Sequence, residues 1–199
     1  MADALYDYSD SRLSKKFTFE GHIPSEGFTY KDSLSWGNEI RCELIDGIPH
    51  MMAGASAWHQ RIVGALYIQL KEFLKNKPCE AFIAPFDVRL SPKEDLSDKT
   101  VVQPDVLVVC DEEKLADGKA CKGPPDFIVE VTSTGSKGKD MIDKKELYEA
   151  AGVKEYWVVD ENKLYVYVLK NKAYRETILP MSKGLTVETT VFKGCKITF

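Results

Sequence analysis

Two carboxylates stand in apolar stretches, where a charge is costly to bury without a partner. Glu130 is the one acid in FIVEVTS (residues 127–133), and Asp105 directly precedes the apolar run VLVVC (106–110). If these stretches pair as neighbouring strands, both acids converge, and two converging carboxylates suit a hard divalent cation. The pattern therefore predicts a Mg²⁺ (or Mn²⁺) site at Asp105 and Glu130. The alternative is that each acid caps a turn or pairs with an arginine or lysine.

A lysine is predicted to approach these acids. Asp140, Lys144 and Tyr148 are spaced four residues apart in a predicted helix over 139–151, so they share one face. That face also carries apolar residues and packs inward, where a lysine needs a carboxylate partner or a function. We expect Lys144 to reach Asp105 and Glu130. An ion pair with Asp140 at the helix edge is the alternative.

Two further candidates lie earlier in the chain. His59 shares a helix face with Ile62 and Leu66, a position that suits either a satisfied core histidine or a member of a site. Glu43 is an acid in the apolar stretch ELIDG, and the sequence leaves open whether it reaches the site.

The elements that must position these residues alternate between strands and helices. The predicted elements are a short helix within 28–36 capped by Thr29 or Asp32, a β-hairpin over 41–52 turning at Asp46-Gly47, a helix over 57–75 capped by Ser56, strands over 81–90, 101–110 and 125–133, a helix over 139–151 ending at Gly152, strands over 154–160 and 163–170, and further short strands to the end. The link 111–125 is predicted to be a loop with a helical turn.

This order predicts an α/β or α+β fold, with a central mixed β-sheet flanked by helices. We expect an N-terminal extension over 1–27 and one domain over 28–199, with its core at about 41–170. A chain of 199 residues is long enough for one sizeable core.

Composition excludes several function classes. The net charge of −4 disfavours a non-specific nucleic-acid coat protein, which would be basic. Since no apolar run approaches the roughly 18 residues that cross a bilayer, and no signal peptide is evident, we expect a cytoplasmic protein without a membrane partner. The five cysteines are scattered and odd in number, which predicts reduced thiols. Phosphate-loop, dinucleotide, nucleophile-elbow and zinc-protease motifs are absent from the sequence.

The ordered set of segments resembles a known nuclease pattern. Pro104-Asp105, the later strand with Glu130 and Thr132 at the E-x-K positions, and the α-β-β-β-α-β order are similar to the PD-(D/E)XK nuclease superfamily. More narrowly, residues 28–170 resemble the family of bacterial putative restriction endonucleases. The segments that carry this resemblance are CELIDGIPHMM, SAWH, QPDVLVV, PDFIVEVTS, the D-x-x-x-K-x-x-x-Y stripe and AGVKEYWVVD.

The resemblance implies a restriction-endonuclease-like fold and Mg²⁺-dependent hydrolysis of DNA phosphodiester bonds. It implies that Asp105 and Glu130 hold the metal. The superfamily's lysine is replaced here by Thr132, which carries no positive charge, so Lys144 from the following helix is the inferred substitute.

The resemblance also assigns supporting residues. Tyr148 and Gln103 are expected beside the catalytic residues, and Glu43 and His59 to line the same pocket. Lys137, Lys139 and Lys145 cluster beyond Glu130 and are expected to contact the DNA backbone, although a mobile surface loop at GSKGK is the alternative.

Two expectations concern assembly and activity. Cutting both DNA strands favours a homodimer, for which the hydrophobic stretch YVYVL (165–169) is a candidate edge contact. The absence of the motif lysine at Thr132 also allows a catalytically inactive protein that keeps the nuclease fold as a DNA-binding module or scaffold.

Overall fold

The computed structural model describes residues 24–36, 40–132 and 139–199, and for 139–142 the backbone alone. Most of the predicted extension over 1–27 therefore lies outside the described residues. No helix in these ranges is long and apolar enough to cross a membrane.

The predicted helices are present, and local sequence signals explain where they begin and end. They are α1 (Tyr30–Ser33), α2 (Ala57–Leu74) and α3 (Lys139–Ala151), with a 3-10 turn at Glu112–Leu115. Thr29 caps α1 in a reciprocal capping box with Asp32. Ser56 caps α2 by accepting a hydrogen bond from the His59 N–H. Gly152 follows α3 with φ +90°, a conformation that favours glycine.

The strands form one large mixed sheet and two smaller sheets. They are β1 (Cys42–Ile45), β2 (Ile48–Met51), β3 (Glu80–Ile83), β4 (Asp87–Arg89), β5 (Val101–Val102), β6 (Val106–Val109), β7 (Ala120–Lys122), β8 (Phe127–Val131), β9 (Glu155–Val159), β10 (Lys163–Lys170), β11 (Ala173–Pro180), β12 (Thr186–Glu188) and β13 (Lys196–Thr198). The six-stranded sheet has the order β11-β10-β9-β8-β6-β3, in which only β8 and β9 run parallel. The predicted central mixed sheet is thus confirmed.

A second sheet, which the sequence did not separate from the first, has the order β2-β1-β5-β4-β7. The predicted strands over 81–90 and 101–110 each divide between the two sheets. The first breaks between β3 and β4 at Pro85, and the second between β5 and β6 at Pro104. Proline has no N–H to donate to a sheet ladder, which is why both strands break there. The link 111–125, predicted as loop, also contains β7.

The six-stranded sheet lies between the two long helices. Leu66 and Leu70 of α2 pack on one face of the sheet, and Tyr148 of α3 packs on the other. Strands β8 and β9 are buried along their whole length. These central strands therefore form a rigid base for any side chain that they carry.

The prediction that YVYVL (165–169) forms a sheet edge is wrong. Strand β10 pairs with β9 on one side and β11 on the other. The turn Asn171-Lys172 has positive φ at both residues (53° and 64°), which suits a tight hairpin and brings β11 alongside. The edge is β11 instead, where the Tyr174 N–H donates to Glu149 of α3 and Pro180 ends the strand.

The prediction of five reduced thiols is also wrong. Cys79 and Cys110 form a disulfide, whereas Cys42, Cys121 and Cys195 are free. Pairing of β3 with β6 sets Glu80 opposite Val109, so the two cysteines that follow in register face each other. Sequence spacing did not indicate this pair because it depends on strand register.

Candidate active site

Asp105 and Glu130 converge as predicted. Strands β6 and β8 are antiparallel, with Val106 opposite Val129. The next positions in this register are Asp105 and Glu130, so the two acids lie opposite each other at one end of the strand pair. The Val131 N–H donates to Asp105 Oδ2 at 2.8 Å, which holds the Asp105 carboxylate against β8.

Lys144 lies between two carboxylates. Its Nζ is 2.8 Å from Glu43 Oε1 and 2.9 Å from Glu130 Oε1, and its side chain is only 14% exposed. One turn further along α3, the buried Tyr148 hydroxyl donates to Glu130 Oε1 at 2.8 Å. The inward face predicted for Lys144 and Tyr148 is confirmed. Asp140, the alternative partner of Lys144, has a side chain outside the described residues.

Glu43 reaches the site, which the sequence left open. It lies on β1 of the five-stranded sheet and is buried. Its Oε1 accepts from the backbone N–H of Gln103 at 2.8 Å as well as from Lys144. The site is therefore built where the two sheets meet.

His59 is joined to a site acid rather than being satisfied within the core. It lies in the first turn of α2, and its Nε2 is 3.0 Å from Asp105 Oδ2. The Nδ1 atom is buried and has no hydrogen-bond partner among the described residues. The hydrogen bond to Asp105 raises the pKa of His59 above its usual value, against the effect of burial.

The site brings several carboxylates and a lysine together. Glu43 and Glu130 flank the Lys144 ammonium, and Asp105 is close enough for its charge to act on Glu130. Burial, helped by the charges of Asp105 and Glu43, raises the pKa of Glu130 to about 7, although Lys144 opposes this. Burial would lower the pKa of Lys144, but Glu130 and Glu43 more than compensate and raise it. Lys144 thus stays protonated, and Glu130 is only partly ionised at neutral pH, so a bound cation would favour its ionised form.

The donor set fits a hard divalent cation. The described hydrogen bonds use Oδ2 of Asp105 and Oε1 of Glu130, and the second oxygen of each carboxylate is the one suited to a metal. Mg²⁺ commonly takes one or two carboxylates and completes its coordination with water and substrate phosphate. No group of three or more His, Cys, Asp or Glu side chains forms a metal cage in the described ranges.

The remaining predicted residues are placed as follows. Thr132 donates its N–H to Val159 O, and its hydroxyl is buried without a partner in the described part of the chain. The Lys145 Nζ lies 5.3 Å from the ring centroid of Tyr167, and its contact with DNA stays a prediction. Lys137 and the side chain of Lys139 lie outside the described residues.

Sequence reasoning missed Asp87 and Tyr30. Asp87 begins β4, where its Oδ1 accepts from Gln103 Nε2 at 2.8 Å and its Oδ2 from the Tyr30 hydroxyl at 3.1 Å. The available signal was an acid within the apolar stretch AFIAPFDVRL, the same signal that singled out Asp105.

Comparison with known proteins identifies a family and a similar fold. The model of the family described as "Uma2: Putative restriction endonuclease" matches residues 30–198. The fold is similar to the crystal structure of "a putative nuclease belonging to DUF820" from Anabaena variabilis ATCC 29413. The TM-score is 0.63 at 14% identity, over 81% of this chain and 89% of that one. At this identity the likeness shows the fold alone. No curated protein matches the chain.

Proposed function

Because the chain belongs to the Uma2 family of putative restriction endonucleases, we propose that it is a metal-dependent endonuclease that hydrolyses the phosphodiester bonds of DNA. The observation that carries this proposal is the convergence of Glu43 and Glu130 on Lys144, with Asp105 held beside Glu130 by the Val131 N–H, at the junction of the two sheets. A cluster in which the pKa values of Glu130 and Lys144 are both raised is typical of a catalytic site.

Asp105 and Glu130 are the residues that would hold Mg²⁺ or Mn²⁺. A bound divalent cation supplies Lewis acidity, which polarises a phosphoryl oxygen and lowers the pKa of a coordinated water. The chain's own residues orient these two ligands. His59 and the Val131 N–H both contact Asp105 Oδ2, while Tyr148 and Lys144 contact Glu130 Oε1. Rotation of either carboxylate would break two contacts, so the pair is preorganised.

Lys144 takes the role of the missing motif lysine in this proposal. Its ammonium is 2.9 Å from Glu130 Oε1, although it comes from α3 rather than from Thr132. A protonated lysine at this place stabilises the negative charge that develops on the scissile phosphate. The raised pKa of Lys144 keeps that charge in place at neutral pH.

Plasmid cleavage tests the proposal. Supercoiled DNA and a set of linear genomic fragments are incubated with the protein in Mg²⁺, in Mn²⁺ and in EDTA. We expect nicking or linearisation that requires metal. Lys144→Ala should lower the rate about 100-fold, as for loss of a group that stabilises transition-state charge.

Lys71→Ala is the control, since Lys71 lies in the last turn of α2, where it forms an exposed ion pair with Glu80. We expect it to cleave within about threefold of the unmodified protein, because an exposed ion pair contributes little. Equal rates for the two variants, or cleavage that continues in EDTA, would contradict the assignment of Lys144 and of the metal.

A second candidate function is a DNA-binding module or scaffold with the nuclease fold and no cleavage. Thr132 favours it, because the position of the motif lysine lacks a charge. Calorimetry with Mn²⁺ separates the two. Tight DNA binding without any metal response, in the unmodified protein and in Glu130→Gln alike, would favour the module.

The same function suggests a homodimer in the cytoplasm, since two sites cut both strands of a duplex more readily than one. Sedimentation with and without DNA measures the assembly state. The three free thiols agree with a reducing compartment, whereas a disulfide such as Cys79–Cys110 is uncommon there.

A further inference from the structure

Gln103 links the site to a carboxylate that lies outside it. Its backbone N–H donates to Glu43 Oε1 at 2.8 Å, and its side-chain Nε2 donates to Asp87 Oδ1, also at 2.8 Å. Asp87 belongs to β4, and Glu43 to β1 of the same five-stranded sheet. One residue between β5 and β6 is thus held at both its backbone and its side chain.

The charge on Asp87 determines which way the Gln103 amide points. A carboxylate only accepts hydrogen bonds, so the amide nitrogen must face it and the amide oxygen must face away. A reversed amide would place two acceptors against each other. Gln103 Oε1 accordingly is buried and lacks a hydrogen-bond partner within the described ranges.

Asp87 is itself held by Tyr30 of α1. The Tyr30 hydroxyl donates to Asp87 Oδ2 at 3.1 Å. Burial and the nearby charge of Asp87 raise the pKa of Tyr30 to about 12, so this hydroxyl remains a donor at any physiological pH. Each oxygen of Asp87 therefore has its own donor, and the carboxylate has a defined orientation.

The hydrogen bonds continue from Gln103 through Glu43 to Lys144. The Glu43 oxygen that accepts from the Gln103 N–H is the same oxygen that contacts Lys144 Nζ. A shift of the Gln103 backbone would move that oxygen and would leave Lys144 with Glu130 alone. We propose that Asp87 is a positioning residue, which acts through Gln103 to hold Glu43 against Lys144; its effect on cleavage rests on the proposed function.

Two substitutions at Asp87 test this directly. Asp87→Ala removes the acceptor, and Asp87→Asn keeps an oxygen that can accept from Gln103 Nε2. Hydrogen exchange of the residue 103 amide, followed by NMR, should be about tenfold faster in Asp87→Ala and nearly unchanged in Asp87→Asn. Asp117→Ala is the matched control, because Asp117 accepts backbone hydrogen bonds beside β7 of the same sheet but does not contact Gln103.

Cleavage supplies the second measurement. We expect Asp87→Ala to lower kcat about tenfold with KM for an oligonucleotide duplex unchanged, since DNA contacts are not removed. Gln103→Met should reproduce this loss, and the double variant should be no slower than Gln103→Met alone. Rescue by Asp87→Asn would separate positioning from a general loss of stability, which circular dichroism monitors.

Several results would overturn the proposal. One is that hydrogen exchange of the residue 103 amide is unchanged in Asp87→Ala. Others are that the losses of kcat add in the double variant, or that Asp87→Asn loses as much activity as Asp87→Ala. If Asp87→Ala fails to fold, Gln103→Met carries the same exchange prediction. If the unmodified protein cleaves no DNA, the proposed function fails, and amide exchange still decides whether Asp87 holds residue 103.

Discussion

Glu130 is the residue at which burial and charge compete most directly. It lies in the middle of a fully buried strand, beside two other carboxylates and one lysine. The net result is a raised pKa, which means that the folded protein holds a proton on Glu130 more tightly than the unfolded chain does. At neutral pH the ionised form of Glu130 thus destabilises the folded protein. Residues that destabilise the fold in this way are expected at functional sites.

This raised pKa predicts a pH dependence of stability. An acid whose pKa is higher in the folded state stabilises the fold below its ordinary value of 4.5, and that contribution disappears as the pH rises through about 7. Without added metal, Glu130 should therefore lower the free energy of unfolding by on the order of 3 kcal/mol across this window. Urea denaturation of the unmodified protein and of Glu130→Gln, at several pH values, measures the difference.

Glu80→Gln is a suitable control, because Glu80 is an exposed acid in a surface ion pair. It should leave the pH dependence unchanged, whereas Glu130→Gln should flatten it. An equal slope in Glu130→Gln and in the unmodified protein would show that another group is responsible.

Among the elements, α2 connects a local sequence signal with the site. Ser56 accepts from the His59 N–H at 3.2 Å, and the His59 ring contacts Asp105. The residue that begins the helix thus also determines the backbone position of a histidine in the site. The buried stripe Val63, Leu66 and Leu70 holds the rest of α2 against the sheet.

The helix cap gives the second prediction. Ser56→Ala should destabilise the protein by about 1 kcal/mol, because the first turn of α2 loses its acceptor. Ser56→Asp, which keeps an acceptor, should restore most of that stability. Denaturation by urea measures both. Ser91→Ala, in an exposed loop, is the control, and a Ser56→Ala protein as stable as this control would argue against a role for the cap.

At the scale of the whole molecule, a third buried glutamate, outside the site, holds the C-terminal segment on the central sheet. Glu155 of β9 is fully buried, and its Oε2 accepts from Thr190 N, Thr190 Oγ1 and Val191 N at 2.7 to 2.9 Å. Its Oε1 accepts from the Trp157 indole at 2.7 Å. These bonds fasten the segment before β13 to the central sheet. Gln69 of α2 holds the far end through two bonds with the Thr198 backbone.

The third prediction follows from this attachment. Glu155→Ala would leave several buried donors unsatisfied and should cost about 3 kcal/mol of stability. Hydrogen exchange should accelerate first over residues 186–198. Glu188→Ala is the control, since Glu188 is an exposed acid of the same segment with one bond to Gly194 N. Uniform acceleration over the whole chain would indicate global unfolding instead of local detachment.

The sequence alone determined the types of the main elements and the central acid pair. Caps such as Ser56 and Gly152 and the turn at Asp46-Gly47 act within a few residues, so they can be read from the chain. The same holds for the inward position of Lys144, since helical periodicity places it there. Asp105 and Glu130 could be paired because they lie on neighbouring segments of apolar sequence.

Only the tertiary structure decided which distant segments complete the site. Glu43 and His59 of the site come from β1 and α2, and Asp87, which adjoins the site through Gln103, comes from β4. Their meeting depends on sheet order and strand register. The Cys79–Cys110 disulfide and the interior position of β10 have the same origin. Sequence patterns report which face a residue occupies. They do not report which neighbour that face meets, because the neighbour is set by packing across the whole fold.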